Sequence, residues 1–121
     1  MIRNRDNTIP FVTKDGSIIH ELYHPGSTPV EGTSVAEAYV EQTLETKRHI
    51  HEKSQEVYYI LKGRGVMTLG ERSFDVKEGD AILIPPGTSH KIKNTGDSGL
   101  RILCICTPPY SHDDTILTGS S

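Results

Sequence analysis

The chain has 121 residues, 34% of them hydrophobic and 24% charged, with a formal net charge of −3, which suits one domain with a real core and not two ordinary ones. The basic residues are scattered, so no nucleic-acid surface is expected. No apolar run approaches the ~18 residues of a membrane span, and MIRNRDNTIP lacks a signal-peptide core, so the expected partners exclude membranes and the expected compartment is the cytoplasm.

In chain order, the first expected element is a hairpin over about 9–24, with Lys14-Asp15-Gly16-Ser17 as its turn. Its second arm contains His20-Glu21-Leu22-Tyr23-His24, the His-Glu-x-x-His pattern of zinc proteases. That pattern needs a helix to bring both rings to one ion. Ile18-Ile19 before it and Pro25-Gly26 after it favour a strand instead. On a strand the two histidines lie about 13 Å apart, too far to share a metal. They read as surface or rim residues.

SVAEAYVEQTLE, 34–45, has helical propensity in Ala36, Glu37 and Ala38, but it also alternates, and its neighbours are β-like; it is expected to be a strand. Further strands are expected at 48–51, 56–62, 65–69, 73–76, 81–84, 89–94 and 100–106, separated by Gly- and Pro-containing turns. Many short strands imply an all-β sandwich or barrel. Cys104 and Cys106 share one face of the last strand and are expected to be reduced, since neighbours two apart rarely form a good disulfide. As a metal site they would have only His112 nearby. LRILCIC, 100–106, is apolar on both faces apart from Arg101, so both should be covered, the outer one by a second copy in a homodimer. The segment 107–115 holds Tyr110, His112, Asp113 and Asp114 and could cover a barrel opening, face a partner or be solvated; from Ser111 the tail is expected to be loose.

Two stretches carry chemistry. RHIHEKSQEVYYILKGRG places His49 and His51 on one strand face, ~6.6 Å apart at Cα, close enough for two imidazoles to converge on one ion. Glu56 opens the next strand after a polar turn and can face back toward them. In GDAILIPPGTSHKIKN the Pro-Pro-Gly turn aims His90 inward from a third strand. Three imidazoles and one carboxylate then surround one point. By alternation Tyr58 and Ile60 share the inward face of Glu56, and Ile92 that of His90. Tyr58 is either wall packing or an acid/base or substrate-orienting group.

These two stretches resemble the paired motifs of the cupin superfamily. His49, His51, Glu56 and Gly63 match the first motif; Gly79, Pro85, Gly87, His90 and Asn94 match the second. The first departs where cupins usually carry a glycine six residues before the first histidine; here that residue is Thr43. The resemblance is close over about 43–106 and implies a single cupin domain over 1–121: a double-stranded β-helix, or jelly roll, with a metal in the barrel mouth. It implies His49, His51, Glu56 and His90 as ligands. Three neutral nitrogens and a carboxylate suit one divalent transition metal ion, Fe, Mn, Ni, Co, Cu or Zn. Asn94 is expected to fix a loop by hydrogen bonding. The implied function is a metal-dependent enzyme acting on a small polar molecule, of isomerase, epimerase, lyase or dioxygenase type. The alternative is a non-catalytic metal- or ligand-binding module.

Overall fold

Apolar and polar residues alternate along most of the strands, and the architecture follows from that alternation. The structure is a computed structural model and describes residues 1–119. After a short 3-10 turn at Arg5–Asn7 come β1 (Phe11–Val12), β2 (Ile18–Tyr23), β3 (Ser34–Val40), β4 (His49–His51), β5 (Gln55–Lys62) and β6 (Arg64–Leu69). They are followed by β7 (Arg72–Lys77), β8 (Ala81–Ile84), β9 (His90–Asn94), β10 (Leu100–Thr107) and β11 (Thr115–Leu117). Two antiparallel sheets face each other, one in the order β1-β2-β3-β10-β5-β8 and the other β11-β4-β9-β6-β7. This is the jelly roll expected from the sequence. The hairpin forms as β1 and β2, and SVAEAYV is strand β3.

The tail from Ser111 differs from the loose segment expected. Thr115–Leu117 form β11 on β4, with Thr115 opposite His51 and Leu117 opposite His49. The Asp114 carboxylate accepts from the backbone N–H groups of Lys53 and Ser54, and Lys14 Nζ donates to the carbonyls of His112 and Thr115. Three residues of β pattern in a polar context are too few to read as a strand from sequence.

The barrel is filled at one end and hollow at the other. Val40, Ile60, Met67, Ile92, Leu100 and Ile102 are all buried and pack the filled end. Strand β10 runs from one end to the other. Its inward residues change from Leu100 and Ile102 in the core to Cys104 and Cys106 on the cavity wall; both thiols are free. Asn94 is buried and closes the loop before β10. Its amide donates to the carbonyls of Val40 and Ser98, and its Oδ1 accepts from Gly96 N–H.

On the outer sheet face Glu37 is buried beneath two guanidinium groups. Arg101 holds it with two bonds of 2.6 and 3.1 Å, and Arg5, from the N-terminal turn, adds one of 2.8 Å. Burial raises the pKa of this carboxyl, but the two arginines outweigh that and hold it below the ordinary range. The same face carries the cross-strand row Val35–Ile105–Val57–Leu83, and Tyr59 and Leu61 beside it. Leu83 is 58% exposed and Tyr59 and Leu61 about two-fifths, so β10 is covered inside and only half covered outside.

Thr43 has φ 67°, the left-handed region that a β-branched residue adopts only at a cost of about 1–2 kcal/mol. It occupies the position where the resemblance leads one to expect glycine. Glycine loses more backbone entropy on folding, which offsets part of the gain. Thr43→Gly should therefore stabilise the fold by up to about 1 kcal/mol, raising the melting temperature by ~4 °C. A lower melting temperature in a thermal scan would contradict this strain.

Candidate metal centre

The hollow end receives its polar groups from four places. His49 and His51 are two apart on β4, so both rings point inward. His90 lies directly across from His49 in the β4–β9 pairing, with ring centroids 4.2 Å apart. The turn that delivers His90 is tied to β4 by Gly87 N–H donating to the His51 carbonyl at 2.7 Å, with Gly87 at φ 76°. Glu56, on β5, is buried and faces His51 and His90. The ligand atoms of His49, His51 and His90 all lie within 4.8 Å of one another.

Each ring is oriented through its other nitrogen. His49 Nδ1–H donates to the Lys47 carbonyl at 2.8 Å, and His90 Nδ1–H to the Thr88 carbonyl at 3.0 Å. Carbonyls only accept, so both rings carry the proton on Nδ1. His51 Nδ1 meets Thr115 Oγ1 at 3.2 Å, and that hydroxyl donates onward to the Ser111 carbonyl. In the neutral rings three Nε2 lone pairs therefore converge. Burial and the neighbouring His90 hold His49 below the ordinary imidazole pKa, which keeps it neutral.

A positive charge is what this arrangement lacks. His51 Nε2 sits 3.1 Å from Glu56 Oε1, two acceptors face to face unless a proton or cation lies between them. His90 Nε2 is fully buried and has no hydrogen-bond partner among the described residues. An orphaned nitrogen of this kind costs about 1–3 kcal/mol unless something binds it. Burial raises the Glu56 pKa, but the His51 and His90 imidazoles beside it outweigh burial and bring it down to about 2, a carboxylate held ionised. The triad and its neighbouring carboxylate thus fit a divalent transition metal, and the ligand type excludes the all-oxygen shell of calcium.

Other groups complete the wall. Tyr58 faces the cavity as expected, is 5% exposed and stands edge-on to His90 at 6.0 Å. Burial and the nearby Glu56 raise its pKa, which keeps the phenol protonated. The Cys106 thiol donates to Glu56 Oε2 at 3.1 Å, a contact set by the pairing of Cys106 opposite Glu56. Burial raises the Cys106 pKa, and Glu56 raises it further. With Asp15, Ser17, Ile19, Glu21 and Phe11 from the hairpin, these residues line an open cavity.

Asp15 is the cavity residue beside the triad that sequence reading missed. It is buried, with Oδ2 3.8 Å from His49 Nε2. Its Oδ1 accepts from Thr13 Oγ1, Ser17 N–H and Ser17 Oγ, which fixes the carboxylate. Hydroxyl residues two positions either side of a turn aspartate were the available signal. His20 and His24, by contrast, do not belong to the triad. His20 bonds Thr8 Oγ1, and His24 donates from Nε2 to the Tyr110 carbonyl while Nδ1 accepts from Gly26 N–H. His112 is exposed and is not part of the metal-binding group either. Among the described residues no helix is long and apolar enough to cross a membrane.

Residues 37–106 match the family model described as the cupin domain. The chain is 54% identical over 110 residues to an uncharacterized protein of Methanocaldococcus jannaschii, covering 91% of this chain and 88% of that one. It is 33% identical over 116 residues to the glucose-6-phosphate isomerase of Pyrococcus abyssi, covering 84% of this chain and 61% of that protein's length. The crystal structure of a predicted oxalate decarboxylase from Thermotoga maritima superposes with a TM-score of 0.79 at 24% identity, over 89% of this chain and 99% of that one. On the family match and the long, close relative together, the chain belongs to the cupin family.

Proposed function

We propose that this cupin is a metal-dependent enzyme acting on a small polar molecule, with the ion held by His49, His51 and His90 and by Glu56 as the fourth ligand. The observation that carries this reading is the convergence of three Nε2 atoms on one point, with that of His90 buried and unpartnered. Glu56 Oε1, 3.1 Å from His51 Nε2 and 3.7 Å from His90 Nε2, supports its place in the set. When bound, the ion supplies Lewis acidity for polarising a substrate oxygen and, if it is redox-active, a route to dioxygen chemistry. The chain itself orients and screens. The Nδ1 anchors hold the rings, Cys106 holds the far oxygen of Glu56, and Tyr58 offers a phenolic proton at the cavity wall. The likeness to an isomerase supports reaction at a hydroxy-carbonyl skeleton, chelated through two oxygens.

His51→Ala and His90→Ala should each leave metal content well below wild type by elemental analysis, whereas His20→Ala and His24→Ala should leave it unchanged. Full occupancy in either of the first two variants would sink the ligand assignment.

Reconstitution of apoprotein with Fe(II), Mn(II), Ni(II) and Zn(II), and screening against dihydroxy and hydroxy-carbonyl compounds, tests the enzyme reading. Turnover with redox-inert Zn(II) and no O₂ uptake is the expected outcome, that of an isomerase or lyase. Fe(II)-dependent O₂ consumption would make it an oxygenase. Ligand binding without turnover under any metal would leave a binding module.

We also propose a homodimer through the outer face of β10, β5 and β8. The exposed row ending at Leu83, flanked by Tyr59 and Leu61, supports a self-complementary apolar contact, the commonest kind of symmetric assembly. Light scattering at micromolar concentration should give twice the chain mass, and Leu83→Asp should shift it toward the monomer. A wild-type monomer mass would refute the dimer.

A further inference from the structure

The cavity wall has a one-sided charge. Three carboxylates line it, from Asp15, Glu21 and Glu56, and no lysine or arginine does. Several cations of the surrounding elements are committed elsewhere. Lys14 Nζ is bound to two carbonyls of the C-terminal segment, and Arg5 and Arg101 are bound to Glu37 on the opposite face of the sheet. A divalent ion together with three carboxylates carries a net formal charge of −1. A phosphorylated or dicarboxylate ligand would add charge of the same sign inside a low-dielectric enclosure, where like charges repel strongly.

The wall also says what is favoured. Asp15 Oδ2 has no hydrogen-bond partner among the described residues and stands beside the triad, 3.8 Å from His49 Nε2, while Oδ1 is saturated by three donors. It is an acceptor on the cavity wall, held in place through its other oxygen. Glu21 sits two residues along β2 from Ile19, on the same inward side and nearer the end of the strand. Phe11, Ile19, Ala36 and Ala38 add apolar patches, and the other polar side chains of the wall are neutral hydroxyl groups and imidazoles. Such a site recognises hydroxyl donors and, apart from the metal itself, carries no cationic side chain to pair with an anion.

We propose that the cavity selects a small uncharged compound with neighbouring oxygen functions, at least one a hydroxyl, and discriminates against its phosphorylated counterpart. Asp15 accepts a ligand hydroxyl, and Glu21 supplies charge exclusion. This rests on the metal-centre reading above and adds the ligand's charge class to it.

A matched pair of probes tests it: dihydroxyacetone and dihydroxyacetone phosphate, titrated into Co(II)-loaded protein by calorimetry with the cobalt absorption followed in parallel. Dihydroxyacetone should bind at least tenfold more tightly than its phosphate. Glu21→Gln, which keeps shape and removes charge, should narrow that ratio at least threefold. Asp15→Asn should weaken dihydroxyacetone binding about tenfold while the protein still binds Co(II). Tighter binding of the phosphate by wild type would overturn the proposal, as would a ratio unchanged in Glu21→Gln. Absence of binding by both probes to a protein with an intact cobalt spectrum would overturn it and leave the metal centre standing. Failure of wild type to take up Co(II) would overturn the metal centre and the proposal together.

Discussion

Three hydrogen bonds from Nδ1 atoms decide what this molecule is. Because His49, His90 and His51 each commit one nitrogen to the Lys47 carbonyl, the Thr88 carbonyl and the Thr115 hydroxyl, the other nitrogen of each ring is left as a lone pair aimed at a common point. Partners of this kind fix the tautomer and orientation of a ring and raise the basicity of its other nitrogen. Without them the rings could turn Nε2–H toward Glu56 or the wall, and the polar cluster would satisfy itself internally. With them, the cluster is complete only when a cation is added.

The division of the barrel into a filled and a hollow end makes this tolerable for the fold. Ile60 and Glu56 lie on the same face of β5, as do Leu100 and Cys106 on β10. One alternating strand therefore contributes to the core at one end and to the cavity at the other. The core residues are large and buried, and the cavity residues are smaller or polar. Apart from the inward nitrogens of the triad, the buried imidazoles and carboxylates find their partners locally, so the apolar core carries the packing undisturbed.

Most of this was legible in the residues. The period-two spacing of His49 and His51, the Pro-Pro-Gly turn before His90 and the alternation through Tyr58 and Ile60 all predict inward side chains, and all are inward. Thr43 marked a departure from the family pattern, and its positive φ shows the backbone shape retained without the glycine that eases it. The His20–His24 pair matched a helical spacing, but its β-branched neighbours marked the segment as a strand, and it is one. The failures have physical causes. Asp15 was read as a turn residue, which it is, because chain-local signals do not say where a turn docks. Strand β11 was missed because three residues acquire strand geometry only by pairing with β4.

That pairing sets a timetable. His51 and Thr115 are 64 residues apart, and Lys14 reaches Thr115 across 101. Contacts at such separations close large loops and form late in folding. During synthesis β4 leaves the ribosome long before β11 exists, so the His51 ring has no Thr115 to fix it until nearly the whole of this sequence has been made. The histidine triad is then among the last features of the described residues to reach its final form, oriented only once β11 has paired with β4. An ion held by all three rings would report on completed folding.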